Sequence, residues 1–138
     1  MAITAALCNS YKQEILQGLH EAADTYKIAL FTSAATLSKA TTAYSATNEV
    51  TGTGYTAGGA TLASFAVSID TDTAILDFAD ATWATSTITA RGALIYNSSQ
   101  SNKAVAVLDF GSDITSTAAT FTVTMPAAAA ATGLIRIA

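Results

Sequence analysis

Charged side chains are scarce in this 138-residue chain: six Lys and Arg against ten Asp and Glu leave a net charge of −4. No basic stripe exists to neutralise phosphates, so direct nucleic-acid binding is not expected. The single cysteine, Cys8, excludes an internal disulfide and fits a reducing compartment. The single histidine, His20, has no second His and no Cys at ligand spacing. A structural zinc site needs four ligands and a catalytic one about three, so no metal is expected. The longest apolar-looking run, Ala127 to Ala131, is far short of the roughly 20 residues that span a bilayer. The opening residues MAITAALCNSYKQE lack a charged n-region and an apolar h-region, so no signal peptide is expected. Proline occurs once, at Pro126, where it closes a predicted strand.

Small and β-branched residues fill the space left by charge. There are 31 alanines and 23 threonines among the 138 residues. Threonine suits the wet face of a strand, and alanine packs in tight layers. Such a surface is compatible with extensive close packing against other proteins; a compositional habit of the host is the alternative. The length predicts one domain over residues 1–138, with a folded surface of roughly 6,700 Å² against about 20,000 Å² unfolded. That leaves room for a real core without staples.

The strongest pattern is Ile88 to Asp113. Two apolar runs flank the polar loop Asn97-Ser98-Ser99-Gln100-Ser101-Asn102, as in a β-hairpin. Successive strand side chains point to opposite faces. Yet Ala93 to Tyr96 and Ala104 to Leu108 are apolar without interruption, so both faces of this hairpin need cover. A symmetric loop predicts Leu94 opposite Val105 and Ile95 opposite Ala104. Either the N-terminal helix or a second subunit supplies the second cover.

The helix is expected from Ser10, with Gln13 completing a capping box. Leu7, Tyr11, Ile15, Leu19 and Ala22 form its apolar stripe, and Gly18 weakens its middle. The stripe either packs on the chain's own sheet or docks on a neighbour. Residues 1–24 thus read as an arm and helix, and residues 26–138 as a β-sandwich. Strands are predicted at Tyr26–Thr32, Thr61–Ile69, Thr73–Phe78, Ser86–Tyr96, Lys103–Phe110, Ala119–Met125 and Gly133–Ala138. A long Gly/Thr-rich loop spans 36–60, with a short strand possible near Ala43–Thr47, and 126–132 admits a helical turn. Leu76-Asp77-Phe78 and Leu108-Asp109-Phe110 echo one another, as a duplicated unit or as shared strand-turn grammar. Many short strands with turn signals between them predict a mainly β fold, an antiparallel β-sandwich of jelly-roll type with one N-terminal α-helix.

Catalytic equipment is not found. Cys8 and His20 lack an oxyanion site and an orienting acid. His20 reads as a surface or interface residue. Gly52 to Gly59 lacks the lysine of a phosphate loop and no helix follows it. Asp70-Thr71-Asp72 reads as a tight turn rather than half a calcium loop. Asp77, Asp80, Asp109 and Asp113 have no aromatic groove to hold a sugar between them. Asn97-Ser98-Ser99 matches a glycosylation sequon without a secretion signal to make it relevant. Trp83 anchors either the core or an interface, where Trp is enriched. The chain is therefore not expected to be an enzyme, and no cofactor is implied.

Several phrases carry a resemblance: Lys27 to Thr32 (KIALFT), Thr47 to Gly59 (TNEVTGTGYTAGG), Ala90 to Asn97 (ARGALIYN) and Ala106 to Gly111 (AVLDFG). Together they resemble tailed-bacteriophage virion structural proteins. Size and all-β character are closest to the small capsid cement, or decoration, proteins represented on a short-tailed Bordetella phage. The resemblance implies a jelly-roll subunit, a homodimer (a trimer stays open) and binding to the major capsid protein on the outside of the shell. It implies synthesis in the host bacterial cytoplasm and residence in the virion. A tail or baseplate component, and a receptor- or carbohydrate-binding module using Tyr44, Tyr55 and Trp83, are the alternatives. Candidate subunit or capsid contacts are Leu7, Tyr11, Ile15, Leu19, Tyr55, Trp83, Ile95 and Val107.

Overall fold

The computed structural model describes residues 2–138. Strand accounts for 48% of the chain and helix for 8%, so the fold is mainly β with antiparallel sheets and one helix. In chain order the elements are β1 (Ala6–Leu7), α1 (Asn9–Leu16), β2 (Tyr26–Phe31), β3 (Ala60–Thr61), β4 (Ala66–Asp70), β5 (Thr73–Asp77), β6 (Ala81–Asn97), a 3-10 turn (Ser98–Gln100), β7 (Lys103–Val123) and β8 (Ile135–Ile137). They form a five-stranded sheet ordered β1-β7-β6-β2-β3 and a three-stranded sheet ordered β4-β5-β8.

The helix is shorter than its sequence pattern predicts. Its N-cap is Cys8, not Ser10, and no side chain caps it. Cys8 N–H already donates to Val105 O at 3.0 Å, so the chain turns into helix directly from β1. Leu7 therefore lies in β1, and Leu19 and Ala22 lie beyond the helix. Gly18 is its terminator rather than its weak middle. With φ of +74°, it lets Gly18 N–H reach Ile15 O at 3.1 Å and Leu19 N–H reach Glu14 O at 3.0 Å. That pair of bonds is a Schellman motif, which favours glycine at the left-handed position.

The hairpin is real and longer than predicted. The separate strands expected at Lys103–Phe110 and Ala119–Met125 are one strand, β7, that stays paired to β6 through several bulges. The predicted Thr61–Ile69 strand instead divides between the two sheets, with Ser64 at φ +59° between the parts. The predicted strand near Ala43 shrinks to one bridge, Ala43 to Lys103. Residues 126–132 form bends and turns, not a helical turn.

The hairpin register also differs. Leu94 opposes Val107 and Ile95 opposes Ala106. Asn97 pairs with Lys103, which shortens the loop, and a bulge between Ile95 and Tyr96 adds a residue. Ser101 and Asn102, at φ +55° and +58°, complete the turn. The net displacement is even, so the side chains keep their faces.

Both hairpin faces are covered within the chain. Tyr26, Ile28 and Leu30 of β2 share one face with Asn97, Ile95 and Ala93, their cross-strand partners. There the Tyr26 ring lies 5.5 Å from both Phe65 and Phe78, which flank the small sheet. On the other face Tyr96 stacks on Tyr44 at 4.6 Å and donates to Gly58 O, bringing the long loop over Leu94. Ile3 adds to this cover: a Cβ on Gly92 would meet its side chain at 2.8 Å. One buried cluster runs from Ile3 to Ile135.

Candidate interaction surface

None of the eight candidate contact residues is exposed. Tyr11, Trp83, Ile95 and Val107 retain 3, 6, 0 and 2% of their surface. Leu7, Ile15, Leu19 and Tyr55 are half-buried. The structure thus corrects the assignment for Tyr11, Trp83, Ile95 and Val107. These four are apolar because they pack within the subunit core. The exposed large apolar side chains are instead Leu16, Val67, Ile69, Ile114 and Ile137. One signal for three of them was legible. In AVSIDTDTAIL a two-residue turn puts Val67, Ile69, Ala74 and Leu76 on one face, and β8 adds Ile137 opposite Ala74.

The long loop is ordered by one carboxylate. Glu49, 8% exposed, accepts from Tyr44 Oη at 2.6 Å, Tyr55 Oη at 2.6 Å and Gly58 N at 2.8 Å. Tyr55 Oη also accepts from Leu30 N–H at 2.9 Å, extending the β2 edge beyond β3. Burial, then the bonds to Glu49, push the Tyr44 and Tyr55 hydroxyls far above their ordinary pKa. Gly59, at φ +79°, lies so close to β2 that a Cβ there would run into the Ile28 carbonyl. The Gly-rich stretch is a packed strap, not a phosphate cradle.

A second cluster ties the segment after α1 to the hairpin end. The His20 side chain is enclosed, at 1% exposure, and bonds to Glu14 Oε1 through Nε2 at 2.9 Å. This corrects the expectation of a surface histidine. Asn97 Nδ2 donates to His20 Nδ1 and to Asp24 Oδ2, while Asn97 Oδ1 accepts from Ser99 N–H. That arrangement makes Nδ1 the acceptor and puts the ring proton on Nε2. The Asn97 bond is the main reason the Asp24 carboxyl lies below its ordinary pKa. Asn97 itself is fully buried. Cys8 lies apart from this cluster, its Sγ 4.0 Å from Ser38 O. Burial, reinforced by Glu14, pushes its thiol up to about 11.

The outer half of the hairpin presents hydroxyls. Thr82, Thr87, Thr89, Thr115 and Thr122 are exposed while Trp83, Ile88, Phe121 and Val123 alternate inward. Thr82 pairs with Thr122, and the Thr89 and Thr115 hydroxyls bond at 3.0 Å. From Gly111 to Thr124 the only charged residue is Asp113. Asp109 is occupied with Gly111 N–H and then Arg91, which hold it below the ordinary carboxylate range. Asp70-Thr71-Asp72 forms the β4–β5 turn, as expected. The two copies of the Leu-Asp-Phe echo fall in unlike places, the end of β5 and the interior of β7. Among the described residues no group of three His, Cys, Asp or Glu side chains could hold a metal ion, and no helix is long and apolar enough to cross a membrane.

No family model matches this chain, and no curated protein or solved structure matches it either.

Proposed function

We propose that this protein is a phage capsid cement, or decoration, protein. It binds the outside of the major capsid protein shell and bridges capsomers, acting as a homodimer or trimer without catalysis. The observation that carries the reading is the exposed half of the β6–β7 hairpin. It is a nearly uncharged, threonine-lined β surface, projecting beyond the strands that flank the rest of the sheet. A surface of this kind suits repeated, close, low-charge contact with a protein lattice, and bivalent attachment raises avidity without a strong single contact. The quoted resemblance to virion proteins points the same way. At the finer level we read the five- and three-stranded sheets as a reduced jelly roll.

A tail or baseplate role uses the same kind of surface and is the second reading. The carbohydrate-binding alternative gains no support from the aromatic rings. Tyr44 is stacked on Tyr96, and Tyr55 lies 5.9 Å from a buried Trp83, so these rings face one another rather than an open groove. The test is to add purified protein to shells assembled from the major capsid protein alone. Saturable binding at a fixed ratio and a raised shell disruption temperature are expected. Absence of binding to shells, with binding to purified tails, would replace the cement reading by the tail reading.

A further inference from the structure

We infer that the open edge of β4 is the surface through which two copies of this chain associate, by antiparallel β4–β4 pairing about a two-fold axis. The inference rests on the cement reading for its setting, while the pairing belongs to the free subunit.

Sheet edges in monomeric proteins are blunted by bulges, charges, proline or brevity. The other edges here follow that rule. β1 and β3 are two residues long, and β8 is three with Arg136 at its centre. Beyond β1, the free edge of β7 carries Asp109 and Asp113 around a register shift, with Gly111 at φ +82° and Ala118 at φ +45°. The edge of β6 beyond β2 is broken by register shifts at Trp83–Ser86 and Ser86–Ile88, with Thr85 at φ +51°. β4 has none of these devices. It is a regular five-residue strand, Ala66-Val67-Ser68-Ile69-Asp70, continuously paired on one side only. Its first four residues are uncharged and exposed.

The geometry selects a second copy as occupant. Asp70 pairs with Thr73 across a two-residue turn. In such a hairpin the closing pair is hydrogen-bonded, and bonded and non-bonded positions then alternate. Ala66, Ser68 and Asp70 therefore direct their amides to β5, while Val67 and Ile69 direct theirs to the open side. Two such strands in antiparallel alignment place Val67 opposite Ile69 of the other copy, with Ser68 on the axis and Asp70 facing Ala66. No like charges face each other, and every outward amide finds a partner. The two small sheets become one six-stranded sheet. Val67 and Ile69, 63 and 69% exposed, then lie beside their counterparts on one face. Such a contact is isologous and closes at two copies, which selects dimer over trimer.

The contact is small. Two aliphatic side chains and one strand edge per copy fall short of the roughly 800 Å² per partner of a standard stable interface. The free protein is therefore expected to associate reversibly with concentration, and to pair fully where a lattice holds copies side by side.

The test is sedimentation equilibrium of the full chain from micromolar to about 1 mM, with amide hydrogen exchange read at the same concentrations. The wild type is expected to form dimers, and exchange at Val67 and Ile69 to slow as they form. The double variant Val67→Lys, Ile69→Lys should weaken association at least tenfold with an unchanged thermal midpoint. Val67→Pro, which removes only an outward N–H, is the independent backbone variant. A wild type that stays monomeric to 1 mM, a trimer, or dimers unaffected by the lysine pair would each overturn the inference. Shell binding separates the two claims. Dimers that never bind shells sink the cement reading alone, and shell binding by a strict monomer sinks the edge alone.

Discussion

Raising the pH should unfold this protein in a single step near pH 11, because all of its ionisable hydroxyls and its thiol are held in the neutral form. The chain has five tyrosines. Tyr11, Tyr26 and Tyr96 are 2–3% exposed, and Tyr44 and Tyr55 are half-buried against Glu49. Burial is the first cause of the upward shift at each, taking Tyr11 up to about 12 and the other four upward as well. A group whose folded pKa is raised stabilises the fold fully below its unfolded pKa, and that contribution is lost as the pH climbs toward the folded value. For tyrosine the loss begins near pH 10. At pH 11 each tyrosine that ionises only when unfolded removes about 1.4 kcal/mol. Tyr11 and Tyr26 together remove about 3 kcal/mol, Tyr96 acts in the same direction, and Tyr44 and Tyr55, discounted for their partial exposure, add roughly 1–2 kcal/mol. Cys8 begins earlier, near pH 9, and removes about 2 kcal/mol more by pH 11. The total of roughly 6–7 kcal/mol is comparable with the whole stability of a typical domain. Phenolate absorbance and the β-sheet circular dichroism signal, followed together, should change at one midpoint well above pH 10. Two or more tyrosines ionising near pH 10 with the sheet signal intact would refute the reasoning, as would denaturant stability that stays constant between pH 9 and pH 11.

Substitutions at four positions test the other parts. Glu49→Ala leaves three donors facing a void and should cost on the order of 3–5 kcal/mol in chemical denaturation, with Glu49→Gln costing less because its carbonyl can keep Tyr55 and Gly58. Equal losses in the two variants would show that the carboxylate charge, rather than its hydrogen bonds, orders the strap. Gly18→Ala should destabilise by roughly 1 kcal/mol, since Ala is strained at φ +74°; a mid-helix glycine would show the opposite sign, and a higher thermal midpoint would reject the terminator role. Ile95→Asp and Val107→Asp should both unfold the monomer, because each buries an unpaired carboxylate in the subunit core. A folded, soluble product from either would return that face to the list of interfaces.

Sequence patterning located most strands because alternation and turn residues act locally. TFTVTM alternates, and its Phe121 and Val123 do point inward. Asp70-Thr71-Asp72 does close a tight turn. The misassigned features are those settled by distant partners. Ser10 and Gln13 carry a valid capping pattern, but the pull of β7 on Cys8 starts the helix two residues earlier. Gly18 reads as a flaw when the helix is assumed to continue, and as a terminator once Leu19 bonds back to Glu14. Glu49 carries no local sign of its role, because Tyr44, Tyr55 and Gly58 meet it only when the loop folds over the sheet.

The two-sided hairpin shows why the candidate surface was displaced. Continuous apolarity from Ala93 to Tyr96 states that both faces are dry, but it does not say who dries them. The small sheet covers one face and a loop of Gly, Thr and Tyr residues covers the other, so the demand for cover is met inside the subunit. A loop of that composition has no apolar run of its own, and its covering power comes from two rings, Tyr44 and Tyr55, positioned by Glu49. With the inner half of the main hairpin covered, its outer threonine face and the edge of the small sheet are what the subunit leaves open. The short hairpin SFAVSIDTDTAILDF supplies the latter, with one face only half covered and one edge without a gatekeeping charge until Asp70. Of the residues that look most like an interface in sequence, Tyr11, Trp83, Ile95 and Val107 are core, while the inconspicuous β4 keeps an open edge and exposed side chains.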